Sequence, residues 1–286
     1  QETKAEDLSR ATSELLGKTR GLETVTPTTI AELPDQFAFP LVGLMSAETA
    51  MYGVSADAAP WRVNEVSKAL ERVNIGTSPA QNVTRVTDEG IDILVVDMDQ
   101  RLWRSTTGTP SVTSLTSGTN GMASVEDLVS YNNNAYALSA SSGQIVKMRP
   151  QGLGFEAGTP WISEKTSDLS QARALAIDGD VWVLTNTDVV VFASGKEKPW
   201  NHAAIDPVLV KPLDIWTDVD SLYLYILDGA DGRVIVMEKE SGSIVAQYVS
   251  NISSGVVGFA IRESENRIIL ATPTTVYSYT ASHLLK

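Results

Sequence analysis

Leu222-Tyr-Leu-Tyr-Ile-Leu227, Asp228-Gly-Ala-Asp-Gly232 and Arg233-Val-Ile-Val-Met237 follow one another without interruption. An apolar run of strand formers, a Gly/Asp turn and a second β-branched run together specify a β-hairpin. The unit recurs downstream as Arg267-Ile-Ile-Leu270 and Val276-Tyr-Ser-Tyr279. Upstream it appears as Asp180-Val-Trp-Val-Leu184 with Val189-Val-Val-Phe192, as Ala135-Tyr-Ala-Leu138 with Gln144-Ile-Val-Lys-Met148, and as Ile93-Leu-Val-Val96 with Arg101-Leu-Trp103. The weakest copy is Thr49-Ala-Met-Tyr52, a turn through Asp57, and Trp61-Arg-Val63. Anchored on the last residue before each turn, the copies fall at Tyr52, Val96, Leu138, Leu184, Leu227 and Leu270, separated by 44, 42, 46, 43 and 43 residues.

A period near 40 to 45 residues with short strands is the pattern of β-propeller blades. A further apolar stretch precedes each hairpin, at 41–44, 83–86, 128–130, 174–177, 213–216 and 258–261, and is expected to form the innermost strand. Outer strands are expected at 70–75, 112–115, 159–163, 202–205 and 243–249. The expected fold is therefore all-β: a six-bladed β-propeller of four-stranded antiparallel blades. The last blade runs out of chain, and an open edge of unpaired backbone groups invites aggregation. Residues 23–33, rich in Thr, Val and Ile, are expected to close it, with Pro27 tolerated on an outermost strand. Residues 6–16 carry helix formers ahead of Gly17, so residues 1–22 are expected to be a helical or flexible segment and 23–286 the propeller.

Composition limits function. The 286 residues carry a net charge of −13, which disfavours nucleic acid, since phosphate binding draws on Lys and Arg. The absence of cysteine excludes disulfides and thiolate chemistry. No apolar run approaches the roughly 20 residues that cross a bilayer. A chain opening on Gln1 is expected to have been processed or truncated. With Ser/Thr/Asn-rich loops, a secreted or cell-surface location is expected, the ectodomain of an anchored protein included.

Leu224-Tyr-Ile-Leu-Asp228 through Gly232-Arg-Val-Ile-Val236, and Ala174-Leu-Ala-Ile-Asp-Gly-Asp-Val-Trp-Val183, resemble the repeat of the NHL family of six-bladed propellers. The resemblance covers roughly residues 172–279 and is much poorer before Val125. It implies a scaffold for recognising proteins or ligands and brings no catalytic residues with it.

No catalytic constellation stands out. The two histidines, His202 and His283, fall in an expected outer strand and at the C-terminal end, away from a shared cleft. Aspartates crowd the second-to-third strand turns, where Asp and Asn also serve to close the turn. Asp97, Asp99, Asp228 and Asp231 are the metal candidates there, and calcium is the ion that oxygen ligands at alternating positions favour. Asp57, Trp61, Asp188 and Trp200 are the candidates for contact with a partner, the tryptophans because they lie near strand ends. The function expected is a non-enzymatic binding propeller for a protein or carbohydrate. Two alternatives stand beside it: a lactonase-like hydrolase with metal over the channel, built on Glu126, Asn186 and Asp228, and a surface protein that assembles with copies of itself.

Overall fold

The computed structural model describes residues 21–35, 37–47, 50–74, 80, 82–89, 92–106, 111–114, 124–252 and 255–285. The helix expected at 6–16 lies outside them. The described chain is almost entirely strand and turn; the helical pieces among the described residues are two 3₁₀ turns, Glu263–Glu265 and Ser282–Leu285.

Strands follow one another as antiparallel meanders. The first comprises Leu41–Ala47, Ala50–Ser55, Pro60–Asn64 and Ala69–Arg72. Val83–Glu89, Asp92–Asp97, Leu102–Thr106 and Ser111–Ser114 form the second. In the third, Asp127–Tyr131, Asn134–Ser139 and Gln144–Met148 are joined by the short strand Thr159–Pro160. The fourth contains Ala172–Ile177, Val181–Thr185, Val189–Ala193 and Lys196–Lys198. Pro212–Trp216, Tyr223–Asp228, Arg233–Glu238 and Ile244–Val249 make the fifth. The last has three strands of its own, Gly258–Arg262, Arg267–Ala271 and Thr275–Thr280.

Among the described residues these innermost strands pack in sequence around a centre: first on second, second on third, and so on, until Gly258–Arg262 packs on Leu41–Ala47. The result is a propeller-like ring of small sheets. Buried apolar side chains sort into clusters, each lying between two neighbouring meanders. Leu224 and Ile226 face the fourth meander, while Tyr225 and Leu227 face the last. A strand covered on both faces buries its side chains on both, as Leu224 to Asp228 are buried here, which is why the deciding stretch is a continuous apolar run rather than an alternating one.

The N-terminal segment covers two edges rather than one. Leu22–Thr24 pairs in parallel with Ile244–Val249 of the fifth meander. Thr28–Glu32 pairs antiparallel with Thr275–Thr280, and Glu32 bridges to Ala69, which joins the last meander and the first into one eight-stranded sheet. The single strand expected at 23–33 therefore divides, and Pro27 sits at the corner between its halves, where a missing N–H leaves no ladder bond unmade. The opposite terminus meets it there. Ser282 Oγ donates to Glu23 at 2.8 Å, and buried His283 lies between Tyr225 Oη and Tyr248 Oη at 3.0 and 2.8 Å.

Two outer strands differ from expectation. The fourth meander is closed by Lys196–Lys198 and not by 202–205, because Ser194 and Gly195, both at positive φ, form a two-residue hairpin. In the third, a ribbon of Pro150–Gln151 and Gly154–Phe155 precedes an outer strand reduced to Thr159–Pro160, which leaves Trp161 beyond it.

Candidate functional site

Each meander ends its second strand, or begins the following turn, with a buried polar residue: Ser55, Asp97, Ser139, Thr185, Asp228 and Thr272. Strand propensity carries the chain to this point, and the polar side chain then closes the turn. Thr185 Oγ1 accepts from Asp188 N, as Thr272 Oγ1 does from Thr275 N. Asp97 accepts from Asp99 N and Arg101 N at 2.9 Å each and from Trp103 Nε1 at 2.8 Å. In the first meander Trp61 Nε1 donates to Ser55 Oγ at 2.9 Å. These second-to-third turns share one face of the ring with the segments that lead into the innermost strands, since antiparallel connection brings the chain back to that end each time.

The metal candidates do not converge. Asp97 is 3% exposed and its oxygens are committed as described. Asp99 is exposed and pairs with Arg101 at 3.0 Å. Asp231 is exposed on the Asp228 turn. Asp228, 2% exposed, pairs with Arg233 at 2.9 Å and accepts from Val210 N and Lys211 N at 3.0 and 2.7 Å. Of the hydrolase trio, Glu126 lines the central channel, while Asn186 accepts from Arg173 Nε and donates to Gln171. No group of three or more carboxylates and histidines able to hold a metal occurs among the described residues.

The partner candidates divide by exposure. Trp61 is 2% exposed, packs edge-on against Phe37 at 4.2 Å, and offers a partner no surface. Asp57, beside it, pairs with Arg72 at 2.6 Å. Trp200 is half-buried: it meets Trp182 edge-on, stacks on His202, and donates Nε1 to Lys239 O. Exposed Asp188 reaches His202 Nε2 at 2.9 Å. Their hydrogen bond holds the His202 pKa above its usual range and the Asp188 pKa below its own.

Sequence reading missed a more distinctive surface feature on the same face. Residues 206–211 are fixed by their backbone. Arg233 donates to Pro207 O at 2.7 Å and to Val208 O at 3.0 Å, Gln247 Nε2 donates to Asp206 O at 2.9 Å, and Asp228 takes the two amides already named. The side chains of Val208 and Val210, 73% and 75% exposed, project from this clamped loop. A cavity of 440 Å³ opens beside them, lined by Arg173, Asn186, Leu209, Val210, Lys211 and Pro212. Asp228 and Arg233, facing each other across a Gly/Asp turn, were the available signal, but the loop they hold lies outside the hairpin that contains them.

Through the ring runs a channel of 450 Å³ walled by all the innermost strands. The register aligns Gly43, Arg85, Asp127, Ala174, Asp214 and Gly258 at one level, each opposite the end of its second strand. Close packing accounts for the two glycines: a Cβ on Gly43 would run into the Val86 side chain, and one on Gly258 would stand 3.1 Å from Leu44 N. Apart from these and Ala174, the level carries one cation and two carboxylates. Asp127 accepts from Leu175 N and Leu128 N at 2.8 Å each, and burial lifts its pKa to about 6 despite those bonds and nearby Arg85. Burial, and then the charge of Asp127, raises Asp214 well above the carboxylate range. Further along, Asp88 is raised by burial and by Asp218.

The ring of sheets, the turn face and the central channel together define a β-propeller-type protein. Among solved structures the chain is similar to the WD40 β-propeller domain of Doa1, with a TM-score of 0.55 at 9% identity over 90% of this chain and 98% of that one. A chain of a nidogen/laminin complex gives 0.55 at 13% identity, covering 76% of this chain and 83% of the other. YCF48 from Cyanidioschyzon merolae gives 0.54 at 11%, covering 89% and 86%. No protein-family model matches the sequence, and no curated protein matches it. At these identities the likeness is one of fold.

Proposed function

We propose that the protein is a six-bladed scaffold propeller that binds a protein partner through its turn face, outside the cell or at its surface. On this reading each meander is one blade, the eight-stranded sheet counts as two, residues 23–286 form the propeller, and the hairpins over 172–279 are NHL-like. The clamped loop 206–211 carries the functional part. Two valines held out in water cost solubility without stabilising the fold, whereas a rigid apolar projection beside a polar cavity loses little entropy when a partner covers it. The likeness to a chain of a nidogen/laminin complex, an assembly of two proteins, supports this by analogy. A glycan is the second ligand class for the same face, with half-buried Trp200 as a stacking surface.

The test replaces Val208 and Val210 together with Glu and uses variant and wild type as bait against a surface-protein extract. Partners retained by the wild type and depleted at least tenfold by a variant of unchanged thermal midpoint support the assignment. Equal recovery, or none, refutes it. Fractionation of the source cells with an antibody tests location separately.

A further inference from the structure

We infer that the cavity beside the clamped loop is a carboxylate-recognition site, taking an acidic side chain of a partner whose flanking apolar residues cover Val208 and Val210. The inference rests on the partner reading for its occupant and deepens it by naming the partner's chemistry.

Two cations and no acid line the cavity. Arg173 and Lys211 stand on its wall with Asn186, Leu209, Val210 and Pro212. Both are exposed, and neither forms an ion pair among the described residues. Cations elsewhere in the fold are spent: Arg72 on Asp57, Lys198 on Asp180, Arg233 on Asp228, Lys239 on Asp178 and Arg267 on Glu65. Acids on the neighbouring turns are engaged as well, Asp228 with Arg233 and Asp188 with His202. Two uncompensated positive charges on one cavity, in a chain of net charge −13, favour an anion brought from outside.

The placement of each cation is specific. Arg173 is the extra residue of a β-bulge, since Ala172 pairs with Thr185 and Ala174 with Leu184. A bulge re-aims the side chain that it inserts. The first, second and fifth meanders carry Val42, Thr84 and Leu213 at the equivalent point, so the bulge itself requires no cation. Asn186 holds the guanidinium from one side: its Oδ1 accepts from Arg173 Nε at 2.7 Å, while its Nδ2 donates to Gln171 Oε1 at 2.6 Å and its backbone N to Gln171 O at 3.1 Å. The two Nη groups have no hydrogen-bond partner among the described residues, and a guanidinium with such groups free takes a carboxylate through paired N–H donors. Lys211 is held by its backbone, its N donating to Asp228 Oδ1 at 2.7 Å and its O accepting from Gly229 N at 2.9 Å. Neither cation needs its backbone ordered when a ligand arrives, which lowers the cost of binding.

The walls select the kind of anion. Leu209, Val210 and Pro212 place apolar surface next to the charges, and Val208 extends it outward. A carboxylate on an aliphatic stem, between apolar neighbours, satisfies both parts, whereas a bare inorganic anion leaves the apolar wall uncovered. The volume of 440 Å³ falls within the about 300–1,000 Å³ of ordinary ligand pockets. The occupant is therefore an acidic and apolar peptide segment of a protein partner.

Fluorescence anisotropy with a short labelled peptide of repeated Glu-Glu-Leu units tests the site on the wild type, Arg173→Gln and Lys211→Gln, with a Gln-Gln-Leu peptide and a phosphoserine-substituted peptide as comparisons. Saturable binding of the glutamate peptide is expected, weakened at least tenfold by either substitution at unchanged thermal midpoint and absent from the glutamine peptide. Arg173→Lys, which keeps the charge and loses the planar fork, is expected to fall between. No saturable binding overturns the proposal, as does equal binding of the glutamine peptide, undiminished binding by either variant, or binding of the phosphoserine peptide alone. The bait experiment judges the partner reading separately. Partners lost with the valine pair but recovered equally by Arg173→Gln and Lys211→Gln leave the partner face standing and remove the carboxylate site. Peptide binding as expected, with no partner recovered, keeps the site and refutes only the partner reading.

Discussion

Asp228 illustrates how one residue type serves two readings. In the hairpin Leu222–Asp228–Arg233 it reads as a turn residue and a cation ligand, yet its oxygens are spent on Arg233 and two amides of the loop before its own blade. Replacing it by Ala leaves a buried guanidinium unpaired and two amides unsatisfied, so a loss of about 3 kcal/mol or more is expected in urea unfolding. Cleavage near Val208 should increase in parallel. His202 and Asp188 form the complementary exposed case. Because the His202 pKa is raised above the usual 6.5, its contribution to stability is complete below that value and lost as pH rises through the raised one. Asp188, lowered from 3.8, contributes above that value, and its share disappears as pH falls through the lowered one. Proton NMR should give His202 a titration above 6.5 that drops in Asp188→Asn, and an unchanged midpoint would contradict the pairing.

Elements differ in how well the local sequence specifies them. The hairpin strands are long β-branched runs, and the structure places them within a few residues of expectation. Outer strands are short, lie at the rim and carry mixed polar sequence, so their positions depend on turn geometry; the Ser194–Gly195 hairpin is the case in point. The N-terminal strand shows what the outermost position contributes. Ile30 and Ala31 are buried against Val276 and Leu70 in the seam between the last meander and the first. Deleting residues 1–32 uncovers both edges that the segment pairs with, along Ile244–Val249 and Thr275–Thr280, and opens that seam. The expected result is a lowered thermal midpoint together with higher oligomers in size exclusion, and a monomer of unchanged midpoint would mean the strand is dispensable. Ile30→Asp tests the seam alone, with a loss of about 3 kcal/mol expected from a charge buried without a partner.

At the scale of the whole molecule, the ring concentrates charge that the chain distributes widely. Asp127 and Asp214, 87 residues apart in number, influence each other's protonation only because the fourth meander bends the chain around one axis. Both pKa values are raised in the folded state, so the folded protein holds more protons than the unfolded chain between the ordinary carboxylate value of 3.8 and about 6. Stability associated with them is full below 3.8 and falls as pH rises through that window. A thermal midpoint that declines from pH 4.5 to 7, with a flatter profile in Asp214→Asn, is the expected observation. A rise over the same range in the wild type would show that other groups dominate.

Local sequence alone determined the repeat, the hairpins and the innermost strands, because runs of Val, Ile, Leu and Tyr broken by Gly/Asp turns leave a short segment few other conformations. The equivalence and shared burial of the six polar turn residues were not legible from the turns themselves, since Ser55 and Thr272 stand further from the ends of their apolar runs than the other four do. Only the tertiary structure decided which loop stands clamped and exposed, how the N-terminal segment divides between two sheets, and which acids face the channel. Those features depend on residues tens of positions apart meeting around an axis, and on register at a bulge, where a shift of one residue turns a side chain from the lumen to the core.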